Sequence, residues 1–289
     1  MNISMSGIEF EKHHPLVQIV RVPLLQSLRV MPYPVAHKLL IKWSSDARDA
    51  CRWARTHKAL EMMYTFPERR KRGDTSSGDV FWQTFLSNAR AIRNRLKLVE
   101  HLLKNLIIER SEKAKPPRLL SLGSGSGRSV FEAIASLDGK VPVKAALLDS
   151  SRSAIKFSRG LSEAILGDGA MNSLQWVCTR TEDVGSCLVD FFPDIVEMVG
   201  LLDYFEESKA KDLFRLIHKN LSTGGWFVVS NVIPNLERRF VDKVVGWPLI
   251  YREPPELKKL VIESGFNEEG VSLFVEPLRI YAIAVCQKR

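Results

Sequence analysis

Residues 119–129 read LLSLGSGSGRS, an apolar run that stops at glycines 123, 125 and 127 and passes at once into the helical pattern of Ser129, Val130 and Phe131. A strand, a glycine turn and a helix N-terminus bring unpaired backbone N–H groups and the positive end of a helix dipole to one place, which suits a polar ligand. Glycines on alternate positions let that ligand lie against the main chain. The spacing narrows the ligand further. A dinucleotide fingerprint needs glycine at position 128, which is Arg128, and a phosphate loop needs a Gly-Lys-Ser/Thr that does not follow here. Asp149 closes the next apolar run, about twenty residues on, where a nucleoside-binding carboxylate belongs. A carboxylate accepts two hydrogen bonds and can hold both hydroxyls of a ribose. Asp149, Ser150 and Ser151 also precede a helical pattern, so a helix N-cap is the competing use. The candidate ligand contacts of this turn are Gly123, Ser124, Gly125, Ser126, Gly127, Asp149 and Ser150.

The surrounding pattern must hold these residues in place. From 118 onward, short apolar runs alternate with helical ones. RLLSL, VKAALLD (143–149), LQWVCT (174–179), DIVEMVG (194–200) and GWFVVSNV (225–232) read as strands, and 128–137, 151–164, 207–221 and 254–264 as helices. Gly265 closes the last helix, and VSLFV and RIYAIAV then flank EPL as an antiparallel pair. The expected fold class is α/β: a seven-stranded, mostly parallel Rossmann-like sheet with a reversed terminal strand. Residues 1–115 read as a helical extension. One helical pattern runs from Pro34 to Tyr64 and ends near Pro67. A second covers about 80–110, with Phe81, Phe85, Ala89, Ile92, Leu96, Val99, Leu103 and Ile107 on one stripe. SEKAKPP (111–117) is the linker, so the expected parts are 1–115 and 118–289.

The Gly-x-Gly-x-Gly turn, Asp149 after strand two and the closing hairpin together resemble the class I S-adenosylmethionine (SAM) dependent methyltransferases over residues 118–289. The resemblance implies SAM as the cofactor, its methionine part and ribose flat against the glycine turn. It implies adenine contacts in TRTED (179–183), where Arg180 replaces the usual acidic residue and Thr181 or Glu182 takes the contact. It sets Val199 and Gly200, in EMVGLLDYF, beside the sulfonium. Strand exits four and five offer Asp203, Tyr204 and Asn231 to the substrate. The segment 244–257 interrupts the regular alternation and offers Trp247, Tyr251 and Arg252. In such enzymes a helical extension serves as a lid, and here it offers Tyr64, Phe66, Trp82, Asn88, Arg93 and Arg95, an arginine being suited to the SAM carboxylate. Tyr204, Asn231 and Tyr251 are the candidate catalytic residues. Asp203, Trp247, Arg252, Tyr64 and Trp82 are the candidate substrate contacts.

Composition bounds the partners. The 289 residues are 45% hydrophobic and 26% charged, as in globular proteins, and no apolar run is long enough for a membrane span. Four widely spaced cysteines form no Cys-x-x-Cys pair, so no metal site is indicated and a cytoplasmic setting is expected. The net charge of +9 comes mainly from PERRKRGD and NARAIRNRLK in the first third. A basic chain attracts nucleic acid, but no recognition module with interleaved aromatics accompanies the charge. The expected partner is therefore a small molecule, and the expected activity methyl transfer. Two alternatives stay open. A related SAM enzyme attacks the methionine side chain, in aminocarboxypropyl transfer or cyclisation to azetidine-2-carboxylate, and releases methylthioadenosine. A basic RNA-binding protein or RNA methyltransferase is the other.

Overall fold

The computed structural model describes residues 4–112 and 115–289. The helical part comprises α1 (Pro15–Val30), α2 (Tyr33–Trp43), α3 (Ser45–Arg52), α4 (His57–Tyr64), α5 (Phe66–Lys71), α6 (Ser77–Val80), a π-helical turn (Phe81–Phe85) and α7 (Ser87–Ser111). The sheet part follows as β1 (Arg118–Leu122), α8 (Arg128–Ala135), β2 (Lys144–Asp149), α9 (Arg152–Leu166), β3 (Leu174–Cys178), α10 (Val184–Phe191), β4 (Ile195–Met198), α11 (Glu207–Asn220) and β5 (Trp226–Val232). Then come α12 (Arg238–Phe240), a second π turn (Val241–Val245), α13 (Pro254–Ile262), β6 (Val271–Val275) and β7 (Tyr281–Gln287).

The seven strands lie in the order β3-β2-β1-β4-β5-β7-β6. β1 pairs in parallel with both β2 and β4, and β7 alone runs against its neighbours. The expected sheet and its reversed strand are what the chain forms. Strand order reverses at β1, and a crevice opens there beyond the carboxyl ends of β1 and β4. Each face buries its own apolar layer. Leu119, Leu147, Phe131 and Val228 pack on the side of α7 and α8, and Leu120, Phe214, Phe227 and Phe266 on the side of α11 and α13. No helix among the described residues is long and apolar enough to cross a membrane.

The helical part departs from the sequence pattern in instructive ways. The single pattern from Pro34 to Tyr64 is three helices. Ser44 ends α2 in extended backbone and its hydroxyl accepts from Ala47 N–H at 2.9 Å, capping α3. Arg55 breaks the next junction with φ at 65°. The long helix expected from residue 80 starts instead at Ser87. The Glu237 carboxylate accepts from Ser87 N–H at 2.7 Å and Asn88 N–H at 3.0 Å, so a group far along the chain supplies the cap. α10, which crosses from β3 to β4, is a helix beyond the expected set.

Candidate active site

The three glycines adopt left-handed backbone, with φ of 64°, 56° and 73° at 123, 125 and 127. Their neighbours differ. A Cβ on Gly123 would meet the Leu201 side chain at 2.9 Å, and one on Gly127 would meet Leu147 at 2.4 Å and the Phe131 ring at 2.9 Å. A Cβ on Gly125 would find only His57 at 3.7 Å. The outer glycines are thus required by the protein's own packing, and the middle one faces open space. Gly127 is the N-cap position of α8.

Asp149 ties this turn to β2. Its Oδ2 accepts from Gly125 N–H at 2.9 Å and its Oδ1 from Ser151 N–H at 2.8 Å. Each oxygen keeps lone-pair capacity for a further donor. The helix cap is taken by Ser151, whose hydroxyl accepts from Ala154 N–H. A cleft of about 360 Å3 opens over the turn, within the size of small-molecule sites. Gly123, Ser124, Gly125, Ser126, Asp149, Ser150, Thr181, Val199 and Gly200 all line it, as do Tyr64, Tyr204 and Trp247. The side chain of Glu182 lies outside the described residues. The buried Ser124 hydroxyl in this wall has no partner.

Several sequence candidates are placed elsewhere. Gly127 does not line the cleft, because it is packed under Leu147 and Phe131. Asn231 is fully buried and donates to the carbonyl of Ile250 at 2.8 Å. Arg252 donates to Asn231 Oδ1 at 2.7 Å and to the carbonyl of Phe205, which fastens the 244–257 segment to the strand exits. Tyr251 donates to Asp242 Oδ1 at 3.2 Å beneath the Arg238 guanidinium. These three residues stitch the crossover together, and none of them lines the cleft. Asp203 and Trp82 miss the main cleft but line a smaller chamber beside it. Arg93 is spent on Glu11 and Gln83. Phe66 is buried, beneath the Arg93 guanidinium.

The cleft also holds groups that the sequence did not single out. α4 lays Thr56, His57 and Leu60 along it, and burial depresses the affinity of His57 for a proton. Arg128, one residue past the turn, grips Glu61 of α4 at 2.6 Å and Glu132 at 2.9 Å, and so locks the helical part onto the turn. Arg95 of α7, one of the lid arginines expected from the sequence, also lines the cleft; it is buried, with its guanidinium 4.4 Å from the centre of the Tyr281 ring and 3.9 Å from Asp203.

Glu197 on β4 is the least expected member. It is 4% exposed, accepts from the Ser121 hydroxyl at 2.5 Å and from Val199 N–H at 3.1 Å, and faces the cleft. Burial outweighs these hydrogen bonds and lifts its carboxyl to about 7. The fold therefore favours the protonated acid. Its stabilising share is complete below the ordinary glutamate range and is lost as pH rises through about 7. Glu197→Gln, which mimics the protonated acid, should remove that decline. Melting temperatures between pH 5 and 8 check this: the parent should fall relative to the variant, and parallel curves would count against the assignment.

The sequence over 56–288 matches the family described as "Putative methyltransferase" (Methyltransf_20). The chain belongs to this family. The match starts within the helical part, so family identity includes α4 and α7 as well as the sheet. No curated protein matches the chain by sequence. Among solved structures, a protein of Bordetella parapertussis described as a possible exported protein aligns with a TM-score of 0.67 at 14% identity, covering 82% of this chain and 80% of that one. Magnesium protoporphyrin IX methyltransferase (ChlM) of Synechocystis PCC 6803, solved with bound SAH, gives 0.55 at 12% identity over 80% and 97%. The CMeT domain of the citrinin polyketide synthase gives 0.57 at 15% over 97% and 82%. At these identities the likeness is one of fold, and the fold of this family member is the class I methyltransferase sheet.

Proposed function

We propose that this family member is a SAM-dependent methyltransferase acting on a small molecule. One observation carries the reading: in a methyltransferase family chain, the carboxylate at the end of β2 is hydrogen-bonded to the amide of the middle glycine, which lines the cleft and has open space where a Cβ would stand. The residues suit SAM. Asp149 has acceptor capacity left for ribose hydroxyls, Thr181 stands after β3 for the adenine, and Ser124 brings an unpartnered hydroxyl to the same wall. Bound SAM supplies an electrophilic methyl group on its sulfonium. The protein's own part is to position, to exclude water and to handle the proton of the acceptor. Glu197, its carboxyl lifted to about 7 by burial, can hold or release a proton on this wall. The helical part acts as the lid, with Tyr64 and the Arg128–Glu61 bridge closing the turn side and Trp247 and Tyr204 the other. The Tyr204 hydroxyl accepts from Trp247 Nε1 at 2.7 Å, and burial pushes its own ionisation up to about 12, so it serves as a wall and not as a base.

The test is incubation with SAM and metabolite extracts, followed by mass spectrometry of the nucleoside product. Adenosylhomocysteine is expected. Methylthioadenosine would move the reaction to the methionine side chain. Turnover that appears only with RNA and collapses with salt would replace the small-molecule reading.

A further inference from the structure

A second chamber of about 60 Å3 adjoins the cleft and shares Leu60, Arg95, Gly200, Tyr204 and Trp247 with it. Trp82, Phe240, Met63 and Ile92 extend its apolar and aromatic wall. Both π-helical turns among the described residues contribute to it. Trp82 stands in Phe81–Phe85, and Val241 and Val245 are the two ends of the other. Single π turns forgo regular helical hydrogen bonding and gather at functional sites. Two of them converge on one small chamber.

The charged groups of the chamber are already committed. Glu237 receives Arg21, the N–H groups of Ser87 and Asn88 and the Asn88 amide. Asp203 receives Val232 N–H at 2.8 Å and stands 3.9 Å from Arg95. A cationic occupant would lose its hydration and find these carboxylates taken, and an anionic one would meet Asp203 beside Arg95, which is costly. Yet two buried donors of the lining residues have no partner, Trp82 Nε1 and Arg95 Nε. Trp82 is 5% exposed, so water does not satisfy its indole N–H freely. What the chamber lacks is a hydrogen-bond acceptor carried on an apolar, flat body that packs well against aromatic rings.

We propose that the chamber receives the aromatic ring of an uncharged methyl acceptor, whose oxygen or ring nitrogen takes the hydrogen bond of Trp82 Nε1. The proposal rests on the methyltransferase reading above. Size constrains the arrangement. A dry cavity that takes benzene measures about 150 Å3, so a ring seated in this smaller space must project into the cleft, toward Gly200 and the glycine turn.

Ligand-observed NMR titrations in the presence of adenosylhomocysteine test it with three one-ring probes. Acetophenone has the ring and an acceptor, ethylbenzene the ring alone, and benzoate the ring with a charge. Acetophenone should bind roughly tenfold more tightly than either of the others, the scale of one buried hydrogen bond. This ranking in the parent protein needs no variant. Trp82→Phe should bring acetophenone down to the level of ethylbenzene while leaving adenosylhomocysteine affinity unchanged. Val245→Phe should fill the chamber and abolish acetophenone binding, with adenosylhomocysteine binding as the check on folding. Equal binding of acetophenone and ethylbenzene, tightest binding of benzoate, or a preference for acetophenone that survives Trp82→Phe would each overturn the proposal. If the parent does not bind adenosylhomocysteine, the methyltransferase reading fails. If it binds adenosylhomocysteine but not acetophenone, the chamber assignment alone fails.

Discussion

Gly127→Ala should lower the stability of the protein by about 3–5 kcal/mol, roughly 10 °C in melting temperature. Two costs add. An alanine at φ 73° sits in the left-handed region, at about 1–2 kcal/mol. Its methyl would also fall 2.4 Å from Leu147 Cδ2 and 2.9 Å from the Phe131 ring. Leu147 belongs to the centre of β2 and Phe131 to α8, both fully buried, so neither can step aside without moving the sheet or the helix. Gly125→Ala is the informative contrast. It carries only the backbone cost, because its methyl would meet nothing nearer than His57 at 3.7 Å. Differential scanning calorimetry of both variants checks this. A Gly127→Ala variant that melts with the parent would show that the packing argument is wrong.

Asp149→Ala should cost roughly 10- to 150-fold in adenosylhomocysteine affinity, measured by isothermal titration calorimetry. A hydrogen bond to a charged group is worth about 1.5–3 kcal/mol. This carboxylate receives Gly125 N–H and Ser151 N–H and, on the proposed reading, a ribose as well. Removing it would lose that ribose contact and also free the glycine turn. Asp149→Asn keeps one acceptor oxygen and should fall between parent and alanine variant. Affinity within threefold of the parent in Asp149→Ala would remove Asp149 from the site.

The parts of this architecture that show in the sequence are those set by local rules. Alternating apolar runs give β1 to β5. The EPL turn between two β-patterned runs gives the reversed β7, and the glycine spacing with Asp149 gives the cleft. What did not show depends on partners far along the chain. Asn231, Tyr251 and Arg252 sit at strand exits and in an irregular segment, where functional side chains often lie. Their hydrogen bonds to Asp242, to the Ile250 carbonyl and between Arg252 and Asn231 are a product of the fold, and no residue type at those positions announces them. Glu197 did leave a trace, a lone carboxylate inside the apolar run DIVEMVG. Strand pairing sets it opposite Ser121, and that buried pair gives the trace its meaning. Likewise the stripe from Phe81 to Ile107 has helical period throughout. Its break before Ser87 is imposed by Glu237 and could not be read from the stripe itself.

That remote cap bears on how the chain is made. Ser87 and the carboxylate that receives its N–H are 150 residues apart. At ribosomal rates of about 5–20 residues per second, α7 waits roughly 8–30 s for its N-terminal partner. Until then the first turn of α7 has only water for its free amides, and the segment carrying Trp82 has no Phe240 or Val245 to rest against. The helical part thus leaves the ribosome first yet finishes last, after β5 has been synthesised and paired. Nascent chains stalled before residue 237 should therefore expose the apolar stripe of α7 to chaperones, and chains released beyond it should not.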